Sequence, residues 1–231
     1  MATKFRYPTG ARPLLIEETA RRRLVETRFV NLLEESGFAE IVLPVIDFVE
    51  PYAGLPGRDA SRQSYRFTDR DGELVAIRSD FTPMVARALA PALPDLPLRI
   101  YYRGDVIRCE ANRLGTNREL FQIGAELVGG ASPAADVEML RLAASIASGL
   151  TPSPLIVCTE AFTELADDSR FVVHRDEETD AGYYTGARFW VYGANRRKPI
   201  AQGGRYDSLY ARFGAGAPAV GFTFTIDALE D

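Results

Sequence analysis

The stretch that decides the fold is Leu98–Gly130, LRIYYRGDVIRCEANRLGTNRELFQIGAELVGG. An apolar run rich in β-prone residues ends at a charged cluster, 108–110, and a loop over 111–117 follows it. A second β-prone run occupies 120–128. The pattern predicts a strand, a loop and a second strand.

Two polar residues of the second predicted strand, Gln122 and Glu126, are separated by an even number of positions. Because side chains alternate along a strand, both lie on one face of the sheet, which Arg108 can reach from the partner strand. An amino-acid pocket needs such a cation for the α-carboxylate, and an amide and a carboxylate for the amino group or side chain. The alternative is the solvated outer face of an antiparallel sheet.

These residues resemble motif 2 of class II aminoacyl-tRNA synthetases in the form found in histidyl-tRNA synthetases. There, a strand ending in Phe-Arg-x-Glu leads through a loop into a strand with the pattern Phe-x-Gln-x-Gly-x-Glu. The matching segments are 107–110, IRCE, and 120–126, LFQIGAE. The resemblance implies an α+β fold, the class II synthetase-like catalytic core, in which a mostly antiparallel sheet is flanked by helices.

Length and composition are those of an ordinary globular chain, with 231 residues, 46% hydrophobic and 26% charged. The net charge of −5 argues mildly against a dedicated nucleic-acid binder, because phosphate contacts need clustered Lys and Arg. No apolar run approaches the length of a membrane span, and the N-terminus lacks a signal-peptide core. We therefore expect a cytoplasmic protein with no membrane partner.

Few residues are available for metal or redox chemistry. Cys109 and Cys158 form neither a zinc-binding spacing nor a disulfide framework. His174 is the single histidine, which excludes a site built from two or more histidines of this chain. The sequence predicts no metal site and no cofactor.

The N-terminal part predicts a helix over Ala11–Ser36, with Gly37 suited to the position just after its C-terminus. The run 38–47 then predicts a strand with Pro44 inside it. Because a proline cannot donate to a ladder, this strand belongs at an edge or a subunit boundary. The segment resembles motif 1 of class II synthetases, a helix and a proline-containing strand at the dimer interface. The alternative is a plain edge strand.

The next segment predicts a hairpin over 65–78 with its turn at Asp71-Gly72. A helix follows, with Thr82 as its cap and Pro83 at its first position. In histidyl-tRNA synthetases this segment reads Arg-Pro-Glu-Gly-Thr, and its acid and threonine hold the substrate amino group. The resemblance gives those roles to Asp80, which is one methylene shorter, and to Thr82.

The middle of the chain is short. The predicted elements are a helix over 132–148, strands over 154–159 and 170–174, and one or two helical turns over 161–166. Histidyl-tRNA synthetases carry a much longer insertion here. The resemblance therefore implies one synthetase-like domain, 1–231, shortened after motif 2 and without an anticodon-binding domain.

A Tyr-Tyr-Thr-Gly core at 183–186 resembles the synthetase signature Arg-Gly-Leu-Asp-Tyr-Tyr-Thr-Gly. In that family the two tyrosines line the pocket for the imidazole ring. The resemblance therefore assigns Tyr183 and Tyr184 to a histidine pocket. Without it, they are interpreted as aromatic residues of an ordinary strand.

A third match is GGRYDSL at 203–209, for which the family has Gly-Gly-Arg-Tyr-Asp-x-Leu. Paired glycines let the backbone approach a ligand closely. We therefore expect Gly203, Gly204 and Arg205 at the backbone and rim of the pocket. The segment 218–222 matches the start of motif 3.

Three arginines that face ATP in the synthetases align with Thr116, Thr179 and Ala228. Amino-acid activation develops charge on the α-phosphate and on pyrophosphate, and fixed cations and magnesium must meet it. Loss of one such contact commonly costs about 3 kcal/mol of transition-state stabilisation. Arg108 remains of the main ATP-facing set, so the alignment implies that adenylation is lost and no residue is catalytic.

The amino-acid side matches the family better, and the expected histidine-binding set is Asp80, Thr82, Arg108, Gln122, Glu126, Tyr183 and Tyr184. This combination resembles the family of ATP phosphoribosyltransferase regulatory subunits. The resemblance implies a non-catalytic subunit that assembles with a short-form catalytic subunit and mediates activation and histidine feedback. It also implies a homodimer through motif 1 and no tRNA partner.

Two other classes of function stay open. One is a minimal histidine-activating enzyme that loads another acceptor, which histidine-dependent exchange of pyrophosphate into ATP would identify. The other is a stand-alone histidine-binding module with no effect on any short catalytic subunit.

Overall fold

The computed structural model describes residues 6–55, 64–109, 117–174, 182–194 and 196–229. The α-helices in these ranges are α1, Ile16–Glu35; α2, Thr82–Leu89; and α3, Pro133–Leu150. Short 3₁₀ turns lie at Glu50–Tyr52, Ala90–Ala92, Glu160–Leu165, Tyr210–Phe213 and Ile226–Leu229.

The strands are β1, Ala39–Glu40; β2, Ile46–Phe48; β3, Arg66–Thr68; β4, Leu74–Ile77; β5, Leu98–Ile107; β6, Glu119–Val128; β7, Leu155–Cys158; β8, Phe171–Val173; β9, Arg188–Tyr192; β10, Ala201–Arg205; and β11, Ala219–Thr225. Within the described ranges they form an eight-stranded sheet, ordered β1-β5-β6-β11-β10-β9-β7-β8, and a three-stranded sheet, β2-β4-β3. Pairing from β5 through to β7 is antiparallel, and the outer strands β1 and β8 pair in parallel. A mostly antiparallel sheet flanked by helices confirms the predicted α+β fold class.

The stretch Leu98–Gly130 forms the two longest strands of the described ranges. β5 and β6 pair over ten residues each, from Leu98 opposite Val128 to Ile107 opposite Glu119. Both predicted strands are therefore confirmed. Of the loop predicted over 111–117, residues 111–116 lie outside the described ranges.

The N-terminal helix begins later than predicted, at Ile16 rather than Ala11. Glu18 accounts for this start, because its Oε2 accepts the Leu15 N–H at 3.2 Å and closes the first turn. The predicted end is confirmed. Gly37 has a φ of +81° and donates its N–H to the Glu34 carbonyl oxygen at 2.9 Å.

The single strand predicted over 38–47 is wrong, because the segment forms the separate strands β1 and β2. β1 pairs with β5 in the large sheet, whereas β2 pairs with β4 in the small one. Pro44 lies in the connection between them, where no ladder N–H is needed. The predicted edge position is confirmed, since β1 and β2 are outer strands of their sheets.

The predicted hairpin is confirmed, with β3 and β4 antiparallel and Gly72 at a φ of +88° in the turn. The capping role predicted for Thr82 is wrong. Phe81 occupies the cap position and Thr82 is the first residue of α2. The Thr82 hydroxyl instead bonds a carboxylate on the large sheet.

The two faces of the large sheet have different roles. Helices α1 and α3 cover one face, where Phe29 and Met139 pack with sheet residues such as Ile123 and Phe222. Helix α2 lies on the opposite face, which carries the polar site. None of the described helices is long and apolar enough to cross a membrane.

Candidate functional site

Glu126 lies at the centre of the site, on β6, with only 1% of its surface exposed. Its Oε1 accepts hydrogen bonds from the Thr82 hydroxyl at 2.8 Å and the Tyr102 hydroxyl at 3.1 Å. Its Oε2 accepts a further bond from the Tyr206 hydroxyl. Three donors from three separate segments therefore hold this carboxylate inside the protein. The solvated-face alternative for this strand is wrong.

Two glycines make the space for this arrangement. A Cβ on Gly221 would overlap Glu126 Oε2 and lie 2.6 Å from its Cδ. A Cβ on Gly124 would lie 2.5 Å from Tyr102 Cζ, so the Tyr102 ring crosses β6 only because this residue lacks a side chain. Glycine at both positions lets the aromatic ring and the carboxylate share one face of the sheet.

Burial controls the protonation of Glu126. Desolvation, with a smaller contribution from the charge of Asp80, raises the pKa of its carboxyl to about 7 despite the opposing effect of its three hydroxyl donors. The carboxyl is therefore close to half-ionised at neutral pH. A cationic ligand beside it would favour the ionised form.

Asp80 lies between β4 and α2, next to Glu126. Its Oδ1 accepts the Thr82 backbone N–H at 3.3 Å, and its Oδ2 accepts the Tyr183 hydroxyl at 3.4 Å. Burial raises the pKa of its carboxyl, while the charge of Arg108 opposes that rise. Both bonds are long, so the carboxylate keeps capacity for a stronger donor.

Arg108 and Gln122 lie on the same side of the sheet. The Arg108 Nε donates to the Ser79 carbonyl oxygen at 3.2 Å, which ties the guanidinium to the segment that carries Asp80. Gln122 is 5% exposed, and its buried Oε1 has no hydrogen-bond partner among the described residues. An unpartnered buried amide oxygen is costly and is suited to accept a hydrogen bond from a bound ligand.

Tyr183 and Tyr184 lie in the turn before β9, so their alternative interpretation as strand aromatics is wrong. The Tyr183 ring lies 5.0 Å from that of Tyr184 and 5.8 Å from that of Tyr206. The Arg188 guanidinium lies over Tyr184, 5.4 Å from its centroid. These rings form an aromatic wall beside Asp80 and Glu126.

The three residues predicted at the pocket backbone and rim have different surroundings. A Cβ on Gly204 would lie 2.9 Å from Tyr184 Cδ1, whereas one on Gly203 would meet Phe189 and Phe222 on the helix-covered face. Arg205 is 8% exposed, and its guanidinium pairs with Asp136 at 2.8 Å. Its other bonds go to Asp207 and to the carbonyl oxygens of Gly130 and Ser132.

The site therefore combines a buried and a half-buried carboxylate, an amide oxygen without a partner among the described residues, and an aromatic wall. Such a set suits a small ligand that carries an ammonium group and an aromatic or heteroaromatic ring. No group of three or more His, Cys, Asp or Glu side chains that could hold a metal ion occurs in the described part of the chain.

Comparison with known proteins places the chain in a family. A family model described as histidyl-tRNA synthetase matches residues 10–167 and 155–229. The chain belongs to the histidyl-tRNA synthetase family.

Relatives within this family carry two names. Proteins named ATP phosphoribosyltransferase regulatory subunit include those of Geobacter sulfurreducens, 28% identical over 96% of this chain and 72% of that protein, and Symbiobacterium thermophilum, 27% identical over 98% and 79%. The histidine–tRNA ligase of Methanocaldococcus jannaschii is 37% identical over 62% of this chain and 35% of that protein. The first alignment spans 313 positions, more than the 231 residues of this chain, so parts of that relative have no counterpart here.

Solved structures support the fold. The ATP phosphoribosyltransferase regulatory subunit/histidyl-tRNA synthetase of Bacillus halodurans superposes with a TM-score of 0.87 at 19% identity, over 99% of this chain and 83% of that one. The histidine–tRNA ligase subunit of Alicyclobacillus acidocaldarius gives 0.85 at 24% identity, over 99% and 97%. At these identities the likeness shows that this member of the histidyl-tRNA synthetase family has the class II synthetase fold.

Sequence reasoning missed Tyr102, Tyr206 and Thr223. Gly124 on β6 pairs with Tyr102 on β5 and with Thr223 on β11. The three residues therefore form one row across the three strands. A tyrosine facing a glycine across a strand pair was the available signal. Of the three residues aligned with synthetase arginines by the motif resemblance, Thr116 and Thr179 lie outside the described residues, and Ala228 is described only as part of a 3₁₀ turn.

Proposed function

We propose that this chain is a non-catalytic regulatory subunit of ATP phosphoribosyltransferase that binds L-histidine on the polar face of its large sheet. The observation that carries the proposal is a half-buried Asp80 beside the buried Glu126 and Gln122, with the Gln122 Oε1 unpartnered among the described residues. The names of the relatives from Geobacter sulfurreducens and Symbiobacterium thermophilum, which match over 96% and 98% of this chain, support the transferase assignment.

The contacts suggest how the ligand is oriented. The ammonium group of histidine is expected at Asp80, whose present bonds of 3.3 and 3.4 Å are weak, and at the unpartnered Gln122 oxygen. The carboxylate is then expected to face Arg108. The imidazole ring packs against Tyr183 and Tyr184, with Glu126 as the acceptor for a ring N–H.

The lack of catalysis is proposed from the sequence. The motif resemblance aligns Thr116, Thr179 and Ala228 with three arginines that face ATP in synthetases. Without those cations, charge that develops on transferring phosphate has little fixed compensation. We therefore assign the chain to the regulation of a short-form catalytic subunit that carries out the first step of histidine biosynthesis. The chain is expected to activate that subunit and to place it under feedback control by histidine.

Feedback of this kind is a coupling between two binding sites, typically about 1–3 kcal/mol, and it is reciprocal. Histidine bound to this chain or at the interface with the catalytic subunit is expected to weaken binding of the partner's substrate. The partner's substrate then weakens histidine binding by the same factor. Equal histidine affinity of the complex with and without that substrate would contradict the coupling.

A homodimer is proposed through the segment of β1 and β2. This segment exposes large apolar side chains, with Val42 87%, Val45 52% and Phe48 45% exposed. Val42 and Val45 lie in the connection between β1 and β2, and Phe48 lies on β2, so the exposed apolar residues are neighbours along the chain and favour a partner surface. Sedimentation velocity of the purified chain tests this, and Val42→Glu is expected to shift a dimer toward monomer.

Calorimetric titration with L-histidine tests the pocket, with arginine and glutamine as control ligands. We expect selective saturable binding that Gln122→Ala weakens. Asn31→Ala is the control, because Asn31 is an exposed amide on α1, which covers the opposite face of the sheet. Absence of binding to both the isolated chain and its complex with a short catalytic subunit would refute the histidine site.

A second candidate function is histidine activation, which is favoured by the 37% identity to the Methanocaldococcus jannaschii histidine–tRNA ligase. Histidine-dependent exchange of labelled pyrophosphate into ATP distinguishes the two. We expect no exchange above background, and exchange abolished by Gln122→Ala would refute the regulatory assignment.

A further inference from the structure

A chain of hydrogen-bonded hydroxyls ends on Glu126. The Thr223 Oγ1 lies 2.7 Å from the Tyr102 hydroxyl oxygen, which lies 3.1 Å from Glu126 Oε1. Tyr102 is on β5 and Thr223 is on β11, two strands away. They meet because both pair with Gly124, across which the Tyr102 ring lies.

The number of hydroxyl protons determines which group donates in the Thr223–Tyr102 and Tyr102–Glu126 hydrogen bonds. Each hydroxyl has one proton to donate, and those of Thr82 and Tyr206 go to Glu126. If Tyr102 also donates to Glu126, its oxygen can accept the Thr223 proton, and every proton has an acceptor. The reverse direction would remove a donor from Glu126 and leave the Thr223 proton without an acceptor among the described residues.

We propose that Thr223 is a positioning residue for this site: by donating to the Tyr102 oxygen, it fixes the Tyr102 proton on Glu126 and favours the ionised carboxylate. Its place in a histidine pocket rests on the proposed function. Its effect on the Glu126 proton concerns the chain without ligand, so the two can be tested separately.

Several other titratable groups around Glu126 interact with its charge. They are Asp80 before α2, Tyr102 on β5, Tyr183 and Tyr184 before β9, and Tyr206 and Tyr210 after β10. The cations Arg108 and Arg188 act on Asp80 and Tyr184 respectively. Tyr102 is the member of this set that is hydrogen-bonded to the Thr223 hydroxyl, so removal of that hydroxyl leaves the other groups in place.

Carboxyl ¹³C NMR of the full chain, labelled on glutamate, tests the proposal directly. The Glu126 resonance is assigned by its loss in Glu126→Gln. Thr223→Val keeps the side-chain shape and removes the hydroxyl, and we expect its Glu126 midpoint to rise by about half to one pH unit. Thr223→Ser, which keeps the hydroxyl, is expected to titrate like the wild type.

The matched control is Thr225→Val. Thr225 lies on the same strand and face and is also half-buried, but it pairs with Gln122. We expect no shift in this variant. We also expect Thr223→Val to add nothing in a Tyr102→Phe background, since the effect passes through Tyr102.

Several results would overturn the positioning role. These are equal midpoints in wild type and Thr223→Val, an equal shift in Thr225→Val, or a Thr223→Val shift that persists without the Tyr102 hydroxyl. A histidine titration at pH 7 then tests the pocket. If the Glu126 midpoint rises by half to one pH unit in Thr223→Val, the ionised fraction of Glu126 at pH 7 falls about two- to fivefold. The affinity for histidine is expected to fall by the same factor. A shifted midpoint with unchanged histidine affinity would uphold the role of Thr223 and refute the histidine pocket.

Discussion

Replacing Gly221 by alanine is expected to displace the central carboxylate and destabilise the fold. The new Cβ would overlap Glu126 Oε2 and lie 2.6 Å from its Cδ and 2.7 Å from the Ala125 carbonyl oxygen. Strand β11 is paired on both sides, with β6 and β10, so its backbone has little room to retreat. The Glu126 carboxyl group therefore has to leave its three hydroxyl donors.

The magnitude follows from those lost bonds. A hydrogen bond to a charged group contributes about 1.5–3 kcal/mol, and bonds within one network do not add. We expect the free energy of unfolding to fall by about 3–5 kcal/mol, the range of a broken buried polar network. Urea denaturation followed by circular dichroism and by the fluorescence of the single tryptophan, Trp190, measures it.

Gly216→Ala is the matched control. A Cβ on Gly216 meets nothing within 4 Å, so its effect is expected to stay within about 0.5 kcal/mol. A loss below about 1 kcal/mol for Gly221→Ala would refute the reasoning. So would an undiminished loss in a Glu126→Ala background, because it would place the strain at the Ala125 carbonyl instead.

The remaining predictions concern charge and backbone. Burial raises the pKa of Glu126 from 4.5 in the unfolded chain to about 7 in the folded protein. The free energy of unfolding is therefore expected to fall by roughly 3 kcal/mol as the pH rises through that interval. Urea midpoints at pH 5 and pH 8 are expected to differ less in Glu126→Gln than in the wild type, and an unchanged difference would contradict this. Arg205→Ala leaves the buried Asp136 carboxylate without its cation and is expected to lower the free energy of unfolding by about 3–5 kcal/mol. Arg170→Ala breaks an exposed ion pair and is expected to lower it by under about 1 kcal/mol in the same urea assay. Gly72→Ala, at a φ of +88°, is expected to cost about 1–2 kcal/mol of thermal stability, and no change in Tm would argue against that strained turn.

Much of the site could be predicted from spacing. The even separation of Gln122 and Glu126 placed both on one face, because the two-residue period of a strand leaves no other choice. The motif matches then brought Asp80, Thr82 and Tyr183 to the same place, where Thr82 and Tyr183 bond the two carboxylates.

The contacts that could not be predicted from spacing depend on the register between strands that are distant in sequence. Thr223 meets Tyr102 only because β11 pairs with β6 in one register, and nothing within either segment specifies that pairing. Thr82 was assigned to a helix cap for a similar reason. The helix-capping preference of threonine considers only residues that are near in sequence, whereas the Thr82 hydroxyl donates a long-range hydrogen bond to Glu126.

The order of the strands in the large sheet has a consequence for synthesis of the chain on the ribosome. β6 is complete at Val128, yet its central neighbour, β11, is not made until Ala219–Thr225. Until then, one side of β6 has no native strand to bond, and an unpaired strand edge is a template for association with other chains. Nascent chains are therefore expected to need protection, by a chaperone or by fast translation of this interval, before the sheet can close.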